Sequence, residues 1–297
     1  MKVGIIDVGS NTVRLLVARQ GDDGELETVL AERAQLGLGA QIERSGIVSR
    51  SKRLAAARRV ARYAAAARGE GCELIDLVIT APGRQSENAD QLVAELEYAA
   101  GLSARVLSVE QEGMLAYAGA IRGVIAPQNG AVAVCDVGGG STEIAVGRGG
   151  DQPEWLRSFD VGSLRLTCRH LDGDPPSRRD VRRARERVRK VLADADPPDL
   201  ALGLATGGAA RALRRLVGRS LGPDELAEAL DLATRMSSAK LAKRGGIDPD
   251  RARTLAAGAV ILAEVQELLG VPMEVARGGL REGLADELFS RMLSRAA

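Results

Sequence analysis

Val132-Ala-Val-Cys-Asp-Val-Gly-Gly-Gly-Ser-Thr-Glu-Ile-Ala-Val146 is the stretch whose reading decides the fold. An apolar run enters on Val132 and ends on a carboxylate, Asp136. Gly138, Gly139 and Gly140 follow, then Ser141, Thr142 and Glu143, and a second apolar run leaves through Ile144. Strand, glycine turn, strand describes a hairpin whose tip can set bare backbone N–H groups against an anion. Glycine suits that tip because a Cβ hinders both positive φ angles and close approach. Carboxylates beside such a loop repel a phosphate unless a cation lies between them, so the stretch also predicts a divalent metal.

The same pattern is written once before. Asp7-Val-Gly-Ser-Asn-Thr-Val-Arg-Leu-Leu-Val-Ala-Arg-Gln-Gly21 aligns onto residues 136–150 without a gap: Asp7 matches Asp136, Gly9 matches Gly138, and Arg14 stands where the second copy has Glu143. An internal repeat of this kind predicts two similarly folded halves, each offering one phosphate loop to a shared cleft.

Bulk properties narrow the function classes. The 297 residues suffice for one large or two ordinary domains. Forty-one Lys+Arg against 40 Asp+Glu argue against wholesale nucleic-acid binding. At 2% aromatic residues there is little to stack bases on. No apolar run is long enough to span a membrane, and the N-terminus enters a strand at once, so the expectation is a cytoplasmic protein with no membrane partner. Cys72, Cys135 and Cys168 show no paired spacing and read as reduced thiols; His170 is the only histidine and lacks metal-ligand companions.

In chain order, residues 2–8, 11–20 and 25–35 read as strands, with a turn at residues 21–24. An Ala/Arg-rich helix covers 49–68. A strand over 74–80 ends at Pro82-Gly83, and Arg84 in the loop beyond it is placed to grip a phosphate by a bidentate fork. A helix over 87–99, a strand over 104–108 and a helix from Glu110 complete the half. Residues 123–130, with Pro127 and Asn129, read as the boundary. The order then repeats: strands at 132–136, 142–146, 155–161 and 200–205, with helices between. Thr206-Gly207-Gly208 runs directly into a helix start, a second anion-binding geometry. Helices over 223–243 and 249–269, a short strand over 274–276 and a last helix over 284–294 finish the chain. The fold class is α/β: an N-terminal domain over 1–122 and a C-terminal domain over 123–297, each a mixed five-stranded sheet with helices, the last helix packing back on the first domain.

These blocks resemble a known family. The doubled hairpin is similar to the actin–sugar kinase–Hsp70 superfamily, with its two actin-like, ribonuclease H-like domains around a cleft. Within it, Asp7-Val-Gly-Ser-Asn-Thr12, Asp136-Val-Gly-Gly-Gly-Ser-Thr-Glu143 and Gly278-Gly-Leu-Arg-Glu-Gly283 resemble the exopolyphosphatase and guanosine pentaphosphate phosphohydrolase family, in its short two-domain form. The resemblance implies a phosphoanhydride hydrolase. It would remove the terminal phosphoryl group of inorganic polyphosphate, with guanosine pentaphosphate (pppGpp) as a second substrate and a homodimer as the assembly.

Carried over residue by residue, the resemblance makes Glu112 the general base that primes water for in-line attack. Arg84 would clamp the transferred phosphoryl group. Asp136 and Glu143, with Asp7 across the cleft, would hold Mg²⁺, or Mn²⁺ in its place. Gly9, Ser10, Asn11 and Thr12, Gly138, Gly139, Gly140, Ser141 and Thr142, and Gly207 and Gly208 would bind phosphate. Arg251, with Arg165, Arg277 and Arg281, would line a basic path. The sequence departs from the family pattern at Gln111-Glu112-Gly113-Met114, at Ala81-Pro82-Gly83 and at Ala209. Two other readings stay open: an ATP-using enzyme of the same fold, and a non-catalytic sensor of polyphosphate or (p)ppGpp.

Overall fold

The computed structural model describes residues 1–297 except 22, 23, 123, 125–129, 151 and 297. The expected turn at 21–24 and the expected boundary at 123–130 therefore fall largely outside the described residues. The chain divides into two compact units, one of Met1–Leu115 with Arg281–Ala297 and one of Ala116–Leu280.

The first unit begins with strands β1 (Lys2–Val8), β2 (Thr12–Gln20) and β3 (Leu26–Gln35), then helices α1 (Leu38–Ser45) and α2 (Arg50–Gly69), strand β4 (Leu74–Ile79), helices α3 (Ala81–Gln85) and α4 (Ala89–Ala100), strand β5 (Ala104–Val106) and the start of helix α5 (Val109–Ile121), whose residues from Ala116 on belong to the second unit. The sheet order is β3-β2-β1-β4-β5. β1 pairs antiparallel with β2 and parallel with β4. A strand paired on both edges and covered on both faces reads as a continuous apolar run, and β1 is buried from Val3 to Val8. At the sheet edge β3 instead mixes exposed and half-buried positions with a single buried one, Ala34. Leu77 and Ile79 of the sheet share a core with Tyr63 of α2 and Leu92 and Leu96 of α4, each such side chain contributing about 1.5–3 kcal/mol of burial. Ser49 starts α2 by accepting from the Lys52 N–H, and Gly101 ends α4 in the left-handed conformation.

The second unit holds β6 (Val132–Val137), β7 (Thr142–Gly147), β8 (Trp155–Phe159), α6 (Ser163–His170), α7 (Arg178–Leu192), β9 (Leu202–Thr206), α8 (Gly207–Val217), β10 (Ser220–Leu221), α9 (Pro223–Arg235), α10 (Ser238–Gly245), α11 (Pro249–Arg253), α12 (Leu255–Leu269) and β11 (Met273–Val275). Its sheet order is β10-β11-β9-β6-β7-β8. Five strands repeat the first sheet; the sixth, β10, corrects the expectation of two five-stranded sheets. It is a two-residue edge strand, Leu221 opposite Met273, too short to leave a periodic signal. Strand alternation sends Ala133, Cys135 and Val137 into one core with α8, α9 and α12, and Val132 and Val134 into another with Tyr117 and Ala120 of α5.

Three further expectations change. The helix foreseen over 223–243 is two, because Ser237 caps a new start by accepting from Lys240 N–H. The one over 249–269 breaks at Thr254, after Asp248 has capped α11 by accepting from the Asp250 and Arg251 N–H groups. The last helix, α13 (Leu280–Ala296), begins four residues earlier than foreseen and so carries Arg281 and Glu282. Arg105 of β5 donates to Asp76 at 2.6 Å and to Glu287 of α13 at 3.0 Å, which ties that helix to the first unit.

Candidate active site

Both glycine hairpins close in the same way. In the first, Val8 pairs with Val13 and the Gly9 N–H donates to the Thr12 carbonyl at 3.0 Å. In the second, Val137 pairs with Thr142 and the Gly138 N–H donates to the Ser141 carbonyl at 3.0 Å. Neither Gly9 nor Gly138 has a positive φ, which corrects the expectation that backbone handedness requires them. Close approach does: a Cβ on Gly138 would lie 3.0 Å from the Ser141 carbonyl oxygen.

The carbonyls of each loop are held from behind. Ser10 O accepts from Gly39 N–H at 2.7 Å, and Asn11 O accepts from Leu36 and Gly37 N–H at 3.0 Å. In the second loop Gly138 O accepts from Ser163 N–H, and Gly139 O from Leu164 and Arg165 N–H, at 2.9–3.0 Å. The first turn of α6 is thus consumed by the loop, not offered to a ligand. Pinning the carbonyls turns the loop N–H groups the other way. Among the described residues none accepts from the N–H of Ser10, Asn11, Gly139 or Gly140. Asn11 is only 6% exposed; its Oδ1 accepts from Gln35 Nε2 at 2.5 Å, while its Nδ2 donor is buried without a partner. A buried donor left unmade costs about 1–3 kcal/mol, so an anionic acceptor in the loop is what this arrangement suits.

Glu112 lies in the first turn of α5, 7% exposed. Its Oε2 accepts from Arg84 Nη2 at 2.8 Å, and Arg84 Nη1 donates to the Leu107 carbonyl at 2.6 Å. Arg84 therefore grips the carboxylate as well as the strand end. Gln111, the residue before Glu112, is explained by the same turn. Ser108 N–H donates to Gln111 Oε1 at 2.9 Å and Gln111 N–H donates to Ser108 Oγ at 3.2 Å, a reciprocal capping box that glutamine closes as well as glutamate.

In the second unit the register sets Asp136 directly opposite Glu143, on one face of the hairpin. Glu143 is 1% exposed and accepts from Ser158 Oγ at 2.8 Å. Burial, then the Asp136 and Glu143 charges, push the neighbouring Cys135 thiol well above its ordinary range. The matching pair in the first hairpin is Asp7 opposite Arg14, one acid and one base, with Arg14 Nε donating to Thr12 Oγ1 at 3.1 Å. Among the described residues no three His, Cys, Asp or Glu side chains gather as a ready cage. Two carboxylates suit Mg²⁺, which usually keeps waters and takes substrate phosphates for its remaining positions.

The other expected residues have definite places. Gly207 has φ +86°, and a Cβ there would collide with Asp136 Oδ1 and the Val137 carbonyl. The Arg251 guanidinium, from a side chain buried in α11, lies flat against Gly208, where any Cβ would strike it. Thr206 Oγ1 donates to Gly278 O at 2.9 Å, which docks the Gly278-Gly279 segment on the start of α8. Ala209 packs on Gly258 of α12. Thr142 is fully buried and donates its hydroxyl to Val161 O at 2.6 Å, a structural bond. Arg165 is ion-paired to Asp160. Arg277 is exposed, and Arg281 lies 3.9 Å from Glu282. Sequence reasoning missed Gln35, Ser158 and Gly162. The first two are visible only through strand register, and Gly162 through its contact with the glycine loop.

The Ppx/GppA phosphatase family model matches residues 16–292. The chain belongs to that family. Exopolyphosphatase 1 of Mycobacterium tuberculosis is 30% identical to this Ppx/GppA chain over 303 residues, covering 96% of the chain and 87% of the relative. A guanosine-5'-triphosphate,3'-diphosphate pyrophosphatase of Vibrio vulnificus is 27% identical, covering 97% of this chain and 59% of that longer protein. The crystal structure of the Aquifex aeolicus Ppx/GppA family member superposes with a TM-score of 0.81 at 28% identity, covering 98% of both chains. The two-domain actin-like fold is thus the fold of this Ppx/GppA protein.

Proposed function

We propose that this phosphatase hydrolyses the terminal phosphoryl group of inorganic polyphosphate, and the 5′ γ-phosphoryl group of pppGpp, in a Mg²⁺-dependent reaction. The observation that carries the reading is Glu112: a buried carboxylate at a helix start, fixed by one arginine, in a family whose named members cleave phosphoanhydrides. In-line transfer asks the protein for positioning and charge neutralisation more than for a covalent nucleophile. Arg84 fixes the plane of the Glu112 carboxylate. The carboxylate takes a proton from water as the water oxygen bonds to the terminal phosphorus, and the bond to the bridging oxygen breaks. The products are orthophosphate and a chain one phosphate shorter. The loop N–H groups at Ser10, Asn11, Gly139 and Gly140, with Asn11 Nδ2, bind phosphate oxygens. Asp136 and Glu143 would hold the metal, which neutralises phosphate charge when bound.

Phosphate release from polyphosphate, pppGpp and ATP tests the reading. Polyphosphate and pppGpp should be cleaved and ATP should not. EDTA should stop turnover, and Mg²⁺ or Mn²⁺ should restore it. Glu112→Gln should lower kcat by about 100- to 10,000-fold, the usual contribution of a positioned base. Undiminished phosphate release by Glu112→Gln, or turnover of ATP alone, would overturn the assignment.

A further inference from the structure

Helix α7 carries eight arginines and lysines against two acids in fifteen residues. The whole chain has a formal charge of only +1, so the residues outside α7 sum to a net negative charge, with α2 the other strongly basic helix, seven arginines and lysines and no acid. Val181, Ala184, Val188 and Leu192 form its buried stripe, packed in the core with α12. On one flank Arg185 and Arg189 are spent on Glu264 and Glu267 of α12. The outward face is different. Arg179, Arg182, Arg183, Arg187 and Lys190 recur there at helical spacing, with Glu186 the one acid among them, and all six are exposed. Arg183 pairs with Asp180. Among the described residues no acid pairs with Arg179, Arg182, Arg187 or Lys190. A run of unpaired like charges costs self-repulsion, and here it extends about 16 Å along the helix.

The stripe continues onto α6. His170, at the end of that helix, is held below its ordinary titration range by burial and by the Arg187, Arg169 and Arg183 charges. Helix α6 begins on the carbonyls of the second glycine loop, so one helix joins that loop to the cationic face.

The structure assigns the outward face of α7, with the end of α6, as a second binding surface for inorganic polyphosphate, separate from the glycine loops. The assignment deepens the polyphosphate reading above and rests on it for the ligand's identity. Three features favour a bare phosphate chain over other polyanions. Arginine outnumbers lysine on the face, and its planar fork matches phosphate oxygens. No aromatic side chain lies on the helix to stack a base, as single-stranded RNA would require. The apolar stripe of α7 is committed to the core, so the helix has nothing to insert into a lipid surface. Such a surface would hold a long chain while its end is cut, and would do nothing for a substrate only three phosphates long.

The single histidine makes a direct test. In EDTA, where binding is read apart from turnover, the His170 imidazole is followed by NMR across pH with long-chain polyphosphate, a polyU oligonucleotide, or phosphatidylserine vesicles. Polyphosphate should raise the His170 pKa, because bound anion offsets the three arginines. The Arg179→Gln/Arg182→Gln/Arg187→Gln variant should lose about 100-fold in polyphosphate affinity at low salt. In the hydrolysis assay it should raise KM for long chains about as much and leave tripolyphosphate turnover unchanged. A His170 signal that polyphosphate does not move, or a triple variant that binds like the parent, would sink the assignment. A stronger response to polyU or to vesicles at equal phosphate concentration would also overturn it, in favour of that partner. Failure of hydrolysis alone would count against the catalytic reading and leave the NMR result to decide this one.

Discussion

Gly162 should be as important to turnover as any side chain, although nothing about it is chemical. Its Cα faces the second glycine loop. A Cβ built there lies 2.5 Å from the Gly139 carbonyl carbon and oxygen and 2.6 Å from the Gly140 N. Ordinary van der Waals contact begins about 1 Å farther out. The atoms in the way are backbone, with no flexible end to swing aside. Gly162→Ala must therefore push the loop by about an ångström or strain the α6 start that holds it. A displacement of that size costs about 100-fold in rate when it misplaces reacting groups. The overpacking itself should destabilise by about 1–3 kcal/mol, lowering the melting midpoint by about 2–4 °C for each kcal/mol. Phosphate release and a thermal melt measure the two effects separately. Gly69→Ala is the control: its Cβ meets nothing within 4 Å at the end of α2, so activity should be unchanged and stability equal or slightly higher. A Gly162→Ala enzyme within threefold of the parent in kcat/KM would refute the claim that loop position depends on this contact.

Other expectations follow from single groups. Ser108→Ala opens the capping box at the start of α5 and should cost about 1 kcal/mol of stability, read by urea unfolding, with a lower kcat because Glu112 sits in that first turn. The thiols should separate by reactivity toward iodoacetamide at pH 7.5. Exposed Cys168 should label first, Cys72 slowly because burial pushes its pKa up to about 11, and Cys135 only on unfolding. His170 should make stability fall with acid. Its folded pKa lies below the unfolded value near 6.5, so the unfolded chain binds more protons in that window and stability is lost as pH drops through it. His170→Gln should flatten that slope in urea melts taken between pH 5 and 7.

Much of this was legible before any coordinates. The gapless repeat of Asp7 onto Asp136 predicts both hairpins, and their registers keep the same offset, Val8 with Val13 and Val137 with Thr142. Periodicity alone placed β1, β6 and α2 because each is long or wholly buried. It could not see β10, two residues long, or the breaks at Ser237, whose hydroxyl caps a new helix, and at Thr254, whose hydroxyl donates back to the Arg251 carbonyl. The site divides along the same line. Position singles out Arg84 and the family resemblance singles out Glu112, but only the fold shows that the two are hydrogen-bonded to each other. Thr142 looks like a phosphate ligand beside Ser141; its hydroxyl is taken by Val161, nineteen residues away in sequence. Glycine was expected at the hairpin tips for φ freedom and for close approach; at Gly9 and Gly138 only the second operates, against a neighbour's backbone at Gly138.

The order in which the second loop is completed has a consequence for synthesis on the ribosome. β6 and β7 can zip together once Gly147 has emerged. The N–H groups that seize the carbonyls of Gly138 and Gly139 belong to Ser163, Leu164 and Arg165. They leave the tunnel about a second or more later at ordinary translation speeds. A nascent chain halted between those points would own a finished hairpin whose tip carbonyls are still unheld, so the loop is completed by the docking of α6 and not by the closing of the ribbon.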